Sequence, residues 1–340
     1  MKPSVRPSTP DDAPQIAALL SAVFSFGLDS PAVDPDRMRW KYWQEHDGWP
    51  GSRSYVLARG DQILAHAGIV AETCASGSAR FGVVHLIDWA ARPGVPGAGM
   101  AIMRHVSSLT DVLVAIGGSE ETLSILPAIG FRPNGVATHY VRALRPMRGL
   151  LAATGVGRRA LPRLVSKGLQ ASATSRFRVG RGWTSRMVPR AEVRKAALPL
   201  PRPTADLAVL ERGPGLFEYA LDCPAVRMSL HAVERDGKVC GYFLLAVANG
   251  GARMADCWMD SVDAADWRAL IELAALETRR HGDVGSLVAL ASDPLLSQSL
   301  MDCGFVPSRV DPVQLLLRGR EPILHARLRV QMLDNDFAWL

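Results

Sequence analysis

The chain has 340 residues, of which 48% are hydrophobic and 21% are charged, and it carries a formal net charge of +6. This composition is typical of a globular protein and excludes a disordered chain, and the length allows two domains of ordinary size. No apolar run approaches the ~18 residues of a membrane helix, and the first residues lack the apolar core of a signal peptide, so we expect a cytoplasmic protein.

In the N-terminal half, apolar periodicity predicts alternating helices and strands. Helices are predicted over 12–24, 35–44, 99–109 and 120–129, and strands over 54–58, 62–72, 83–91, 112–116 and 136–144. The first helix is indicated by Ile16, Leu19, Leu20 and Val23, which recur at helical spacing after a capping aspartate. A strand that leads into a glycine-rich turn and a helix stands out near residue 95.

The C-terminal half repeats this order. Strands are predicted over 228–234, 239–247, 253–260 and 286–290, helices over 264–281 and 294–303, and further strands in the tail over 315–340. The hairpin pattern that starts at Arg59 recurs at Arg235, 176 residues later, and Gly130-Phe131 recurs as Gly304-Phe305, 174 residues later. Two matches at nearly one offset predict a duplicated unit.

A basic connector over 144–204 separates the proposed domains 1–143 and 205–340. Residues 142–195 include fourteen Lys and Arg and one acidic residue, so this segment carries +13 and the remainder of the chain is acidic. Its apolar residues are spaced as in an interrupted amphipathic helix, which fits either a solvated linker or a peripheral contact with an anionic membrane surface. A nucleic-acid binder is disfavoured because no docking motif accompanies the charge.

The five cysteines predict neither disulfides nor a metal centre. None forms a Cys-x-x-Cys pair, and no Cys/His cluster has zinc spacing. We therefore expect reduced, mostly buried thiols and no metal.

The loop Pro96-Gly97-Ala98-Gly99-Met100-Ala101 is the strongest candidate for a ligand site. A glycine-rich turn that opens a helix presents backbone N–H groups to an anion, and glycine lets the backbone approach a pyrophosphate closely. The loop lacks the Lys-Ser/Thr end of a Walker A motif and the spacing of a dinucleotide-binding turn. An ordinary strand-to-helix turn is the alternative for this stretch taken alone.

In context, the sequence resembles the GNAT superfamily of acyl-CoA N-acyltransferases. The family's loop, Gln/Arg-x-x-Gly-x-Gly/Ala, is similar to the stretch from Pro96 to Ala101, and its Leu-Gly-Phe helix end is similar to Ile129-Gly130-Phe131. The duplication resembles the tandem-GNAT architecture of mycothiol synthases. The segment 40–43 and the ending 334–336 are loosely similar to GNAT-like proteins encoded with exopolysaccharide genes.

The resemblance implies an α/β fold of the mixed α+β type, with two tandem GNAT-like domains, each a mostly antiparallel mixed sheet flanked by helices. It also implies acetyl-CoA as co-substrate and a set of site residues. The cofactor-binding set is Trp89, Ala90, Ala91, Pro96, Gly97, Ala98, Gly99, Met100 and Ala101, and the acceptor-binding set is Phe26, Arg37, Trp40 and Tyr42, with Phe24, Lys41 and Trp43 nearby. Aromatic side chains in the acceptor set fit a sugar or a hydrophobic amine.

His85 is the candidate general base, eleven residues before Pro96. Asp88 is the second candidate, expected on the opposite face of the strand because side chains alternate. Tyr140 is a candidate acid, since the family's usual tyrosine position is Leu126 here. For each of these residues, a structural role in the strand or core is the alternative.

The predicted function is transfer of an acetyl group from acetyl-CoA to a primary amine of a small molecule or amino sugar. Pro96 and Leu126 depart from the family pattern, so the alternative is a catalytically inactive module of polysaccharide or envelope assembly. In the second half, residues 260–266 contain three aspartates and no glycine where the loop would be, so we predict one CoA site per chain.

Overall fold

A computed structural model describes residues 2–46, 48–145, 179–248, 250–318 and 326–339 of the chain. In these residues the strands belong to one mixed sheet with helices packed against it. The predicted α/β class with a mixed sheet is confirmed. Within the same residues, no helix is long and apolar enough to cross a membrane.

The first half contains every helix and strand predicted for it, with ends that differ by a few residues. The helices are α1 (Ala13–Phe24), α2 (Pro35–Met38), α3 (Ala98–Ser107) and α4 (Glu120–Ile125). The strands are β1 (Ser4–Pro7), β2 (Ser54–Arg59), β3 (Gln62–Ser76), β4 (Ala79–Ala91), β5 (Val112–Ile116) and β6 (Arg132–Ala143). α2 continues into a π-helical turn over Arg39–Trp43, and α4 into a 3-10 turn over Leu126–Ile129.

The second half repeats the succession. Its strands are β7 (Trp183–Val188), β8 (Leu207–Leu210), β9 (Arg227–Arg235), β10 (Lys238–Ala248), β11 (Gly251–Met259), β12 (Ser286–Ala291), β13 (Val306–Leu317) and β14 (Arg327–Arg329). Its helices are α5 (Pro214–Leu221), α6 (Ala264–Arg280) and α7 (Pro294–Asp302). After β14 the tail forms short 3-10 turns, Met332–Asp334 and Asp336–Ala338, rather than the further strands predicted there.

The two repeats match in detail at their helix ends. Gly130 and Gly304 both have left-handed backbone angles, at φ values of 100° and 79°. The next residue in each repeat, Phe131 or Phe305, donates its N–H to the carbonyl five residues earlier, at 3.1 and 3.0 Å. This is the hydrogen bond of a helix that ends in a glycine cap. The Gly-Phe match in the sequence therefore marks equivalent structural positions.

One sheet runs through both predicted domains. The main strand order is β1-β2-β3-β4-β5-β13-β6-β12-β11-β10-β9-β7, so each half forms one side. The last strand of each half is exchanged: β13 pairs with β5, and β6 pairs with β12. A boundary at residue 143 or 205 therefore does not separate two independent sheets. β7, assigned to the connector from the sequence, is the outer strand of the second half.

The packing also joins the halves. Trp40 stacks on Tyr219 with ring centroids 4.4 Å apart, and both belong to an apolar cluster that includes residues of the first half, the second half and the tail. Fully buried apolar area of this kind is the main favourable term in folding. The predicted amphipathic helix of the connector, with most of the basic segment, lies outside the described residues.

Candidate active site

A V-shaped opening separates β4 from β5. The two parallel strands pair at three positions, Val83 with Val112, Val84 with Leu113 and His85 with Val114, and then diverge. Beyond His85, the edge of β4 over residues 86–91 has no strand partner on the β5 side. Unpaired backbone groups along such an edge can bind an extended ligand as a strand would.

A cleft of about 940 Å³ occupies this opening. Its walls come from β4, from the loop before α3, from the turn after β5 and from the C-terminal turns. They include His85, Asp88, Trp89, Ala91, Val95, Gly97, Gly99, Met100, Gly117, Gly118, Phe24, Arg309, Asn335, Asp336 and Phe337. The volume is in the range of sites for small molecules and cofactors.

The N-terminus of α3 opens onto the cleft without a capping side chain. Gly97 takes a left-handed conformation, with φ at 77°, and the helix starts at Ala98. The Gly99 carbonyl accepts a hydrogen bond of 3.1 Å from Trp89 Nε1, which fixes the loop against β4. The Ala98 N–H donates to the Val95 carbonyl at 3.3 Å. Because no side chain caps the first turn, the N–H groups of Gly99 and Met100 can bind an anion.

Not every residue of the predicted cofactor set borders the cleft. Trp89, Ala91, Gly97, Gly99 and Met100 line it. In contrast, Ala90 and Ala98 are buried in apolar clusters, Ala101 packs against one of them, and Pro96 is outside the lining. Strand and helical periodicity turns the side chains of Ala90, Ala98 and Ala101 away from the opening, and Pro96 is exposed in the turn before α3.

The equivalent opening in the second half is filled by the chain itself. β11 and β12 pair from Gly251 with Ser286 to Met254 with Ala289 and then separate. There the side-chain amide of Gln331 bonds both backbone groups of Cys257: it accepts from the N–H at 3.1 Å and donates to the carbonyl at 2.9 Å. Asp263 also caps the first turn of α6, accepting from the Ala265 N–H at 2.8 Å. Both features oppose an equivalent ligand site in the second half.

A β-bulge in β4 shapes the inner end of the cleft. His66 pairs with Ala90 and Gly68 pairs with Ile87, so Asp88 and Trp89 together face Ala67. Asp88 has a φ of 48°, a conformation that costs energy for a residue other than glycine. The bulge interrupts the alternation of side chains. Asp88 and His85 consequently line the same cleft, which corrects the expectation that they face opposite sides.

An ion cluster joins the bulge to the C-terminal turn. Lys41 Nζ lies 2.5 Å from Asp88 Oδ2 and 3.0 Å from Asp336 Oδ2. The Tyr42 hydroxyl donates to the same Asp88 oxygen at 2.5 Å. The two carboxylates and the ammonium sum to −1, and the buried guanidinium of Arg37 lies close enough to interact with Lys41 and Tyr42.

These contacts set the charge states within the cluster. Burial alone would raise the pKa of the Asp88 carboxyl, but the charge and hydrogen bond of Lys41 outweigh it and hold this pKa below its usual value. Burial would lower the pKa of Lys41, but Asp336 and Asp88 raise it above its usual value. Burial and the Asp88 charge raise the pKa of Tyr42 well above its usual value. Asp88 and Lys41 are therefore ionised, and Tyr42 is neutral, at neutral pH.

His85 stands at the inner limit of the opening, where β4 and β5 last pair. Burial lowers the pKa of its imidazole to about 4, although Asp336 partly opposes this effect. The ring is therefore neutral near pH 7. A hydrogen bond with the Asp334 backbone also opposes the lowering of its pKa. Within the described part of the chain, Nδ1 is buried and has no hydrogen-bond partner.

Several predicted site residues lie elsewhere. Tyr140 packs in the apolar core around α6 in the second half and is not at the cleft. Trp40 is at the contact between the halves, and Arg37 is buried and donates to the Pro31 carbonyl at 3.0 Å. Phe26 packs against the cluster under α1. Of the predicted acceptor set, only Tyr42 reaches the site, through its bond to Asp88; Phe24, named beside that set, lines the cleft.

The sequence analysis did not identify two parts of the cleft. Gly117-Gly118-Ser119, which follows β5 and caps α4, repeats the strand–glycine–helix pattern and offered a signal. Asp336 belongs to the ending 334–336, which the resemblance singled out, but no local pattern places it at the cleft, because its position depends on the path of the whole second half. Among the described residues, no group of three or more His, Cys, Asp or Glu side chains is placed to hold a metal ion, and the five cysteines are free thiols.

No family model and no curated protein matches this sequence. Solved structures match its fold. A GCN5-related N-acetyltransferase from Anabaena variabilis is 13% identical, with a TM-score of 0.60 over 96% of this chain and 75% of that chain. One from Kribbella flavida is 15% identical, with a TM-score of 0.59 over 96% and 74%.

N-myristoyltransferase from Saccharomyces cerevisiae, solved with bound myristoyl-CoA, is 11% identical, with a TM-score of 0.60 over 92% of this chain and 82% of that chain. The three structures are similar to this chain across both of its halves. The chain therefore has the GNAT fold, that of the GCN5-related N-acetyltransferases.

Proposed function

We propose that the protein transfers an acyl group, and specifically acetyl, from acyl-CoA to a primary amine of a small molecule or amino sugar. The observation that carries this proposal is the unpaired edge of β4, which runs from the bulge at Asp88 into the uncapped first turn of α3. An extended chain with amide groups at one end and a pyrophosphate at the other suits these two features together.

The residues present fit CoA as a substrate. The backbone of residues 89–91 would pair with the amides of the pantetheine arm, and the first turn of α3 would bind the pyrophosphate. A Cβ added at Gly97 would meet no atom within 4 Å, so the space in front of this backbone is open to a ligand. At the other end, the bulge would bring the thioester beside Trp89, whose backbone N–H would stabilise the oxyanion.

The charge at the inner end favours an amine acceptor. The Lys41, Asp88 and Asp336 cluster has an excess negative charge, and its recorded bonds to Lys41 use one oxygen of each carboxylate, Oδ2. The two carboxylates would attract an ammonium group entering the cleft, which loses one proton to solvent and so becomes the neutral amine that attacks. In such a partly desolvated site, charge pairing is stronger than in water.

His85 is proposed as the general base. The amine nitrogen attacks the thioester carbonyl carbon, and its proton passes to the neutral imidazole. The C–S bond then breaks, and the departing thiolate takes the proton from the imidazolium, which restores the histidine. The nitrogen of the tetrahedral adduct is far more acidic than a free ammonium, so a weak base is sufficient for the step.

The test is release of CoA thiol from acetyl-CoA in the presence of a panel of primary amines that includes amino sugars and arylalkylamines. We expect thiol release that requires an amine and forms an amide in equal amount. CoA binding without thiol release for any amine of the panel would contradict turnover and favour the inactive-module alternative.

A further inference from the structure

A small internal cavity lies behind His85, on the side away from the cleft. Its volume is about 10 Å³, and its polar lining comes from Glu72, His85 and Asp334, with apolar residues such as Val70 and Val114 closing it. This is about the smallest space that holds one water molecule. His85 therefore lines two spaces, the cleft and this cavity.

Glu72 and His85 share one face of the sheet. In the β3–β4 register, Val70 pairs with His85, and Glu72 pairs with Val83. The two side chains are thus diagonal neighbours across the strand pair, with Cα atoms about 7–8 Å apart in such an arrangement. That separation is too long for a direct hydrogen bond between most rotamers and suits a bridge through one water.

Each side chain has one buried polar atom without a partner. These atoms are Glu72 Oε1 and His85 Nδ1. The side chain of Glu72 is 5% exposed, and its other oxygen, Oε2, faces Arg212 at 3.5 Å. A buried polar atom without a hydrogen bond costs about 1–3 kcal/mol, so two such atoms beside one cavity call for a shared partner.

We propose that Glu72 is a positioning residue for His85, acting through one water molecule held in the cavity between Oε1 and Nδ1. When Nδ1–H donates to that water and the water donates to Oε1, the lone pair of the ring is on Nε2, the nitrogen that we assign to the cleft side. Glu72 keeps its charge state during turnover, and no proton moves to it. This role rests on the proposed function only in naming His85 as the base.

The charge on Glu72 decides which tautomer the water favours. Burial is the main cause that raises the pKa of Glu72, to about 8, and Arg212 partly opposes it. Below that pH the neutral Glu72 carboxyl donates a hydrogen bond to the water, and the water donates one to Nδ1. The proton of the imidazole ring is then on Nε2. Above it the carboxylate accepts through the water and frees Nε2, so the tautomer that suits a general base at the cleft forms above about pH 8. The charged and titratable groups around the pair are Arg212, Asp256, Asp334 and Cys74 beside Glu72, and Lys41, Asp88 and Asp336 beside His85.

The test is an NMR titration of the full chain with ¹⁵N-labelled histidine, in which two-bond ¹H–¹⁵N correlations report each tautomer. The signals of His85, one of eight histidines, are identified by their loss in His85→Gln. We expect the ring nitrogens of His85 to shift in one step with a midpoint near pH 8, and the step to be absent in Glu72→Gln. His66 is the internal control, because its nitrogens bond Ser54 and the Asp88 backbone and should show no such step.

Val114→Ile provides a second variant that leaves Glu72 in place and fills the cavity with one methyl group. It should remove or displace the step, whereas Val112→Ile, on the same face of β5 but outside the cavity lining, should retain it. A step that persists in both Glu72→Gln and Val114→Ile, or no step in the native protein, overturns the proposal. The readout needs no amine or acyl-CoA, so a step without turnover would refute the proposed function and leave this role standing.

Discussion

Placing a negative charge at Gly97 should selectively weaken CoA binding. Gly97→Asp puts a carboxylate on the residue that precedes the uncapped turn of α3 and borders the cleft. At ~5 Å from a phosphate and an effective dielectric near 20, the repulsion is about 3 kcal/mol, or on the order of 10²-fold in affinity. Isothermal titration with CoA measures the change. Gly97→Asn, similar in size but uncharged, should lose much less.

Gly94→Asp is the matched control for this experiment. Gly94 and Gly97 have nearly equal left-handed angles, at φ values of 79° and 77°, and a Cβ at either would meet nothing within 4 Å. The backbone strain of the two substitutions is therefore alike, but Gly94 is outside the cleft lining. Equal losses of affinity in the two aspartate variants would refute the assignment of the phosphate site to the first turn of α3.

Three further predictions concern the base, the acceptor and acid stability. His85→Ala should lower kcat by on the order of 10²-fold with CoA affinity nearly unchanged, and a larger loss in Asp88→Ala than in His85→Ala would identify a different base. Asp336→Asn should raise the KM for the amine by about tenfold without affecting CoA binding, as seen by varying the amine at saturating acetyl-CoA; an unchanged KM would exclude Asp336 from the acceptor site. Because burial lowers the pKa of His66 and His85 to about 4, below their unfolded value of about 6.5, the stability they contribute is complete above pH 6.5 and is lost as pH falls toward 4. Protonation of each histidine should reduce the free energy of unfolding by about 1.4 kcal/mol per pH unit in this window. In a plot of unfolding free energy against pH, measured by urea titration, His66→Gln should therefore be less steep by that amount. An equally steep plot would contradict a neutral buried His66.

Local sequence signals were sufficient for most of the fold. Apolar periodicity located α1, the central strands and α6, because each buries one regular face. Short elements were missed: β1 and β8 have four residues each and offer too little periodicity. The exchange of β6 and β13 could not be predicted, since it depends on pairing between strands more than 140 residues apart in sequence.

The site was predictable where one loop forms it and unpredictable where distant segments meet. The loop with Gly97 and Gly99 was found because its glycines follow a strand and open a helix. The predicted face of Asp88 was wrong because the alternation of side chains along a strand does not reveal a β-bulge. Asp336 was missed because the C-terminal turn reaches the cleft only after the second half has folded beside the first.

We propose that one acyl-CoA binds per chain, in the opening between β4 and β5. Isothermal titration with CoA is the decisive measurement. We expect a stoichiometry of one, no binding in Gly99→Arg, whose side chain would enter the cleft, and normal binding in Gly282→Arg, where an added Cβ on the second half meets no atom within 4 Å. A stoichiometry of two, or unchanged affinity in Gly99→Arg, would contradict it.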